Sequence, residues 1–242
     1  MTGIESEIWE RLCNTKIIPI EVTWLADKYS PTLSKELKIA ICEQLGMKSQ
    51  EGWKAIKNLI KKYGKQPELI LASGLCHQDE AKELLLNTIK EEDGKFNITT
   101  IRALNCWGAE LPISLLKQIL ESLEQEIRLA GIDLLKFKLH TLSEKEILEL
   151  TKNLLIDIRD PILVATIRVL QRRDEESISE KLRILVEEGS DVVAKSALIA
   201  LGSIGTHKSY EILTCLFKTL PPGIKRDLTN KQLKSQYRFA NT

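Results

Sequence analysis

The sequence predicts an all-α fold, a solenoid of about seven antiparallel helix pairs, from three observations. A leucine closing a short amphipathic helical pattern recurs at Leu12, Leu45, Leu75, Leu104, Leu134, Leu170 and Leu201, in steps of 33, 30, 29, 30, 36 and 31 residues. A second amphipathic segment follows each anchor after a brief break, which is the period of paired-helix repeats. Thr100-Ile101-Arg102-Ala103-Leu104 returns almost unchanged as Thr166-Ile167-Arg168-Val169-Leu170. Composition agrees: Leu, Ile, Lys and Glu dominate, aromatics are 5%, and there are only 12 Gly and 7 Pro in 242 residues, a helical profile rather than that of a sandwich or barrel.

In chain order, the first pair covers residues 5–14 and 19–29, with Trp9, Leu12, Trp24 and Leu25 as its apolar seam. Ile17, Ile18, Ile20 and Val22 could read as a strand, but Pro19 removes a ladder donor, so a turn entering a helix is expected. As a terminal pair it must cover the end of the core, and its two tryptophans suit a cap. Ser30-Pro31-Thr32 breaks the chain before the second pair, 33–45 and 50–63, with Gly46 the expected helix stop. In 50–63, Trp53, Ile56, Leu59, Ile60 and Tyr63 recur at three and four residues, while Lys54, Lys57 and Lys61 fall on the other side. Gly64 ends that helix, and Pro67 suits the first helical position before 68–75. Cys76-His77-Gln78 is then a turn, with Asp79 the expected N-cap of 80–90.

The polar break Glu91-Glu92-Asp93-Gly94 precedes a fourth pair that begins near Asn97 and whose second helix opens at Pro112. Residues 124–137 form the first helix of the fifth pair, and Ser143-x-x-Glu146 reads as a capping box. Asp160-Pro161 reads as an N-cap followed by a first-turn proline and opens the sixth pair, and Gly189-Ser190 separates the sixth from the seventh. Pro221-Pro222-Gly223 is a strong stop, so a repeat domain over 1–220 and a basic C-terminal extension over 221–242 are expected. From Lys218 onward, Lys218, Lys225, Arg226, Lys231, Lys234 and Arg238 stand against Asp227 alone; a short helix over 227–237 and a frayed basic tail both fit.

Lys and Arg total 35 against 34 Asp and Glu, so no global field favours nucleic acid, and a nucleic-acid partner is not expected. The first 30 residues hold Glu5, Glu7 and Glu10 and no continuous apolar run; neither signal peptide nor membrane span is expected, and the location expected is cytoplasmic. Cys13, Cys42, Cys76, Cys106 and Cys215 form an odd set without CxxC spacing, which suits reduced thiols better than a disulfide or zinc framework.

The segment Asp191-Val192-Val193-Ala194-Lys195-Ser196-Ala197-Leu198-Ile199-Ala200-Leu201-Gly202-Ser203-Ile204-Gly205 resembles the HEAT-like repeat pattern, in which an acidic residue, a valine and a basic residue precede an Ala-x-x-x-Leu-Gly closure. Ile127-Arg128 and Ala130 within 124–135 resemble it again, and 160–170 is similar except for Val164 where a basic residue belongs. The period of about 30 is similar to the short HEAT-like repeats of the cyanobacterial phycobilin lyase group. That resemblance implies a right-handed superhelix of HEAT-like pairs over roughly residues 5–220, and as a function either handling of a linear tetrapyrrole or scaffolding. It extends to repeat type only, because no lyase motif aligns with this chain, and HEAT-like families also include pure scaffolds and a DNA glycosylase branch.

No spacing for catalysis or for a cofactor stands out, so no catalytic residue and no cofactor is assigned. Cys76-His77 would be a nucleophile or ligand if the imidazole activated the thiolate; otherwise they are ordinary turn residues. His140 and His207 occupy equivalent places two repeats apart, roughly 20 Å at helix spacings of ~10 Å, so with His77 they make no zinc site, which needs bonds of about 2 Å. Trp107 is either a partner anchor or a plug between repeats, since Ile204 holds the matching place. Arg102 and Arg168 share one repeat position and would grip carboxylates of a protein or of a bilin, or else pair with acidic neighbours. Lys54, Lys57 and Lys61 form a basic helix face. The resulting expectation is a non-enzymatic scaffold or assembly factor that binds a folded protein through a concave surface, with a bilin lyase-like factor binding a linear tetrapyrrole as the alternative.

Overall fold

The apolar spacing is realised as fifteen helices among the described residues, which in this computed structural model are 3–14 and 19–240, with side chains to 236. No β-strand occurs among them; one antiparallel bridge, Lys90 with Phe96, closes a short polar hairpin over 89–97. No helix among them is long and apolar enough to cross a membrane. Ile17, Ile18 and the side chain of Arg238 lie outside the described residues. The chain packs as two units, Met1–Glu110 and Leu111–Thr242.

The first unit holds α1 (Gly3–Cys13), α2 (Val22–Lys28), α3 (Lys35–Gly46), α4 (Ser49–Tyr63), α5 (Pro67–Leu75), α6 (Asp79–Asn87) and α7 (Ile98–Trp107). First helices of successive pairs pack on one another, α1 on α3, α3 on α5 and α5 on α7, while α2 packs on α4. The seam between these layers is a continuous core that includes Leu25, Leu37, Ile41, Leu45, Ile56 and Leu69. Each such side chain contributes roughly 1.5–3 kcal/mol relative to exposure. Within this core the Tyr29 hydroxyl donates to Glu68 Oε1 at 2.8 Å and Lys38 Nζ lies 3.3 Å from the same oxygen. Burial opposes ionisation of Glu68, but bonds from its own amide, Tyr29 and Lys38 prevail and hold its carboxyl below the usual range.

Gly46, expected as a helix stop, is the last residue of α3 and is buried, with Met47 the cap. Its role is contact: a Cβ there would lie 2.7 Å from Leu75 Cβ. Gly74 is tighter still, since a Cβ would meet the Ala103 carbonyl oxygen at 2.0 Å, and this absence of a side chain lets α5 and α7 approach. Gly64, with φ of 81°, does end α4. Asp79 is the first residue of α6 rather than its cap, which is Gln78. Asn97, near which the fourth pair is expected to begin, caps α7, accepting from Thr100 N at 3.0 Å.

The second unit holds α8 (Ile113–Leu120), α9 (Gln125–Lys138), α10 (Glu144–Thr151), α11 (Asp160–Leu170), α12 (Glu176–Glu188), α13 (Asp191–Ile204), α14 (His207–Thr219) and α15 (Ile224–Ala240). Here α9 packs on α8 and α11, α11 on α13, and α13 on α12, α14 and α15, while α12 also packs on α14. The capping box forms: Ser143 N donates to Glu146 Oε2 at 2.8 Å, and Glu146 N donates to Ser143 Oγ at 3.4 Å. Asp160 is the first residue of α11, not its cap, and its carboxylate accepts from Ser190 Oγ at 2.7 Å. Of the two readings of the C-terminal segment, a helix forms. Lys225 Nζ donates to the carbonyls of Val186 and Gly189 at 3.1 and 3.0 Å, at the C-terminus of α12, and Gln236 Nε2 donates to Leu201 O at 2.9 Å in the last turn of α13.

Gly74→Ala should therefore cost about 2 kcal/mol, because backbone rather than a flexible side chain blocks the new methyl. The melting temperature followed by circular dichroism should fall by about 4–8 °C, while Gly3→Ala, where nothing lies within 4 Å, should leave it unchanged.

Candidate binding site

α10 is only two turns long, about 12 Å, against about 20 Å for α12, and the chain leaves it at Lys152 through a run of turns. The shorter helix leaves part of the apolar side of α12 uncovered. The result is a cleft of about 960 Å³ floored by Leu148, Leu155, Ile156, Ile184 and Leu185. Its rim carries Glu144, Lys145, Glu149, Lys152 and Lys181.

The rim acids are already engaged. Glu149 accepts from Lys152 at 2.7 Å and from Lys117 at 3.4 Å, and these bonds hold its carboxyl below the usual range. Glu144 accepts from the Ser177 hydroxyl. Lys145 and Lys181 have no hydrogen-bond or ion-pair partner among the described residues, and with three lysines against two glutamates the formal balance of the rim is positive.

The loop leaving the cleft is locked. Asp157 is 3% exposed and accepts from Arg159 at Nε (2.8 Å), Nη2 (2.7 Å) and the backbone amide (2.9 Å), and also from Arg128. Hydrogen bonds from the Arg159 side chain, then its amide and Arg128, outweigh burial and hold the Asp157 carboxyl at about 2. Both arginines also reach the preceding turn, Arg128 Nε donating to Ser122 O at 2.9 Å and Arg159 Nη1 to Leu123 O at 3.2 Å. On this fixed backbone Ile156 and Ile158 stand 78% and 97% exposed, beside a turn where Leu123 is 89% exposed. The turn ahead of α10 is held likewise, since Arg173 Nη1 donates to Leu139 O and Leu142 O at 2.7 and 3.1 Å.

The residues singled out from the sequence lie elsewhere. Cys76 is 1% exposed, and burial pushes its thiol up to about 12, so it stays protonated at neutral pH. His77 beside it is exposed with φ of 51°, and its Nδ1 lies 3.2 Å from Trp107 O, not on the thiol. Trp107 is half-buried: its Nε1 donates to Gln78 O at 3.1 Å and Lys82 Nζ sits 4.5 Å over the ring, so it packs on the preceding turn. Arg102 is exposed on α7 of the first unit and Arg168 on α11 of the second, and neither lines the cleft. Lys54, Lys57 and Lys61 are exposed on α4, but Lys57 pairs with Glu80 of α6 at 2.8 Å, and Glu80 also accepts from Trp53 Nε1 at 3.2 Å. That basic face is thus partly neutralised. No group of three His, Cys, Asp or Glu able to hold a metal ion occurs among the described residues.

Sequence reasoning passed over Lys145, Lys181, Ile156 and Ile158. The available signal was Ile156-Asp157-Ile158, two isoleucines in a break that the helical period does not claim.

No protein-family model and no curated protein sequence matches the chain. Among solved structures, human deoxyhypusine hydroxylase in complex with glycerol is similar at 15% identity and a TM-score of 0.44, with 97% of each chain covered. An engineered protein is similar at 18% identity and a TM-score of 0.38, covering 90% of this chain and 96% of its own. Neither likeness transfers a residue role or an activity.

Two outcomes follow. A thiol reagent at neutral pH should modify the exposed Cys13, Cys106 and Cys215 in the native protein and reach Cys42 and Cys76 only after denaturation. Because the Asp157 pKa is depressed, its stabilisation is complete above the unfolded value of about 4 and is lost as pH falls from about 4 to 2. Asp157→Asn should cost about 2 kcal/mol at pH 7, and in urea titrations the gap to the parent should close as the pH approaches 2.

Proposed function

We propose that the chain is a non-enzymatic HEAT-like scaffold or assembly factor that grips a folded protein, and that the cleft between α10 and α12 is the grip of its second unit. The observation that carries this is the pairing of an open apolar cleft with aliphatic side chains held outward on a locked loop. Exposed aliphatic surface of this kind marks interaction sites, and burying one isoleucine against a partner contributes roughly 1.5–3 kcal/mol. The side chains that might have carried chemistry are engaged structurally, with Cys76 in the core and His77 at a backbone carbonyl. Resemblance of repeat type leaves bilin handling as the competing reading, and it would call for cationic groups converging on a pigment-sized pocket. Arg102 and Arg168 do not line the cleft.

A photo-crosslinking amino acid at position 156 should yield one discrete protein adduct in native lysate, absent when the same group replaces the exposed Glu92. No discrete adduct would overturn the scaffold reading at this cleft. A visible absorbance shift on adding phycocyanobilin, lost in Ile156→Asp, would replace it with the bilin reading.

A further inference from the structure

We infer that the occupant of the α10–α12 cleft is an acidic amphipathic helix of the partner protein, an inference that rests on the scaffold reading of the same cleft. One wall is α12 and the other is α10 continued by the turns at 152–156, so no strand edge lines the cleft. An extended segment laid over the apolar floor would leave its own amides and carbonyls unpaired. A helix brings its backbone bonds with it, and helix-in-groove docking uses an apolar stripe flanked by polar residues. The fold shows the same solution nearby, since α12 also packs on α14. The guest would take the place of a neighbour that two-turn α10 is too short to be.

Charge selects the sign. Lys145 stands three residues before Leu148 on α10, and Lys181 three residues before Ile184 on α12, so each wall sets a cation one turn ahead of a floor residue. Helical side chains lean towards the N-terminus, which carries both lysines past the floor to the rim. Glu149 is paired with Lys152 and Lys117, and Glu144, which keeps its charge, bonds to the Ser177 hydroxyl; neither forms an ion pair with Lys145 or Lys181, and the three rim lysines outnumber the two rim glutamates. Glutamates flanking the apolar stripe of a guest helix would supply an anion on each side. Ile156, on the locked loop, closes one end of the floor and becomes the buried anchor.

The probe is a fluorescent helix-forming peptide of about four turns, with leucines at i, i+3, i+4 and i+7 and glutamates on both flanks, titrated by anisotropy at low and high salt. It should bind saturably and weaken with salt. An analogue with lysine flanks, and one with the same composition interrupted by a central proline, should each bind at least ~10-fold more weakly. Ile156→Asp should lose at least ~10-fold, and the double variant Lys145→Glu/Lys181→Glu should reverse the preference between acidic and basic peptides. All three positions are exposed, so circular dichroism should report an unchanged fold. Equal binding of the basic or proline-broken peptide, no effect of the variants, or complete displacement by sodium laurate at equal concentration would overturn the inference. A discrete crosslink at position 156 together with any of those results would retain the scaffold and reject the helix; loss of the crosslink would remove the scaffold reading itself.

Discussion

A paired-helix repeat ends many helices in tight turns, and each leaves backbone carbonyls with no partner in their own helix. The structure depends on satisfying them from roughly one repeat further along. Trp107 donates to Gln78 O, Arg159 to Leu123 O, Arg173 to Leu139 O and Leu142 O, and Lys225 to Val186 O and Gly189 O, across 29 to 39 residues. Each donor is a long or planar side chain lying along the turn it serves. The bond joins successive repeats as surely as the apolar seam does, and it fixes the turns in register. A burial of carbonyls without such donors would cost about 1–3 kcal/mol apiece.

The same constraint explains why a cleft can persist in the second unit. α10 is held at one end by Arg173 on the turn before it and at the other by the Asp157 ion pairs on the loop after it. Anchored at both ends, it does not need to collapse onto α12, and the apolar flank left between them stays open. Asp157 faces inward, and the isoleucines on either side of it are turned to solvent. Rigid presentation of this kind lowers the ordering cost of association.

Much of the architecture was legible in the chain. The leucine spacing placed the helix pairs, and a local polar signal with its partner three residues away, Ser143 with Glu146, behaved as read. What was misread or not visible were roles set by a distant neighbour. Gly46 does stand at the end of its helix, but its packing against Leu75 was not visible in the chain. Asp160 looked like a cap and instead serves Ser190, 30 residues on. Trp107 could be read as an anchor or a plug, and its indole donates to the carbonyl of Gln78, 29 residues back.

The candidate site was less legible. Arg102, Arg168 and the Lys54, Lys57 and Lys61 face drew attention as conspicuous charges, whereas the cleft is built from ordinary leucines, isoleucines and lysines. What the sequence by itself determined was helix class, period and most boundaries, because these follow from side-chain spacing and from caps a few residues away. Tertiary structure alone decided which apolar side chains are left uncovered, which lysines are left without an ion pair and which thiol is buried. Exposure and pairing belong to surfaces brought together from segments some 30 residues apart, and the spacing within one helix carries no record of how closely its neighbour approaches.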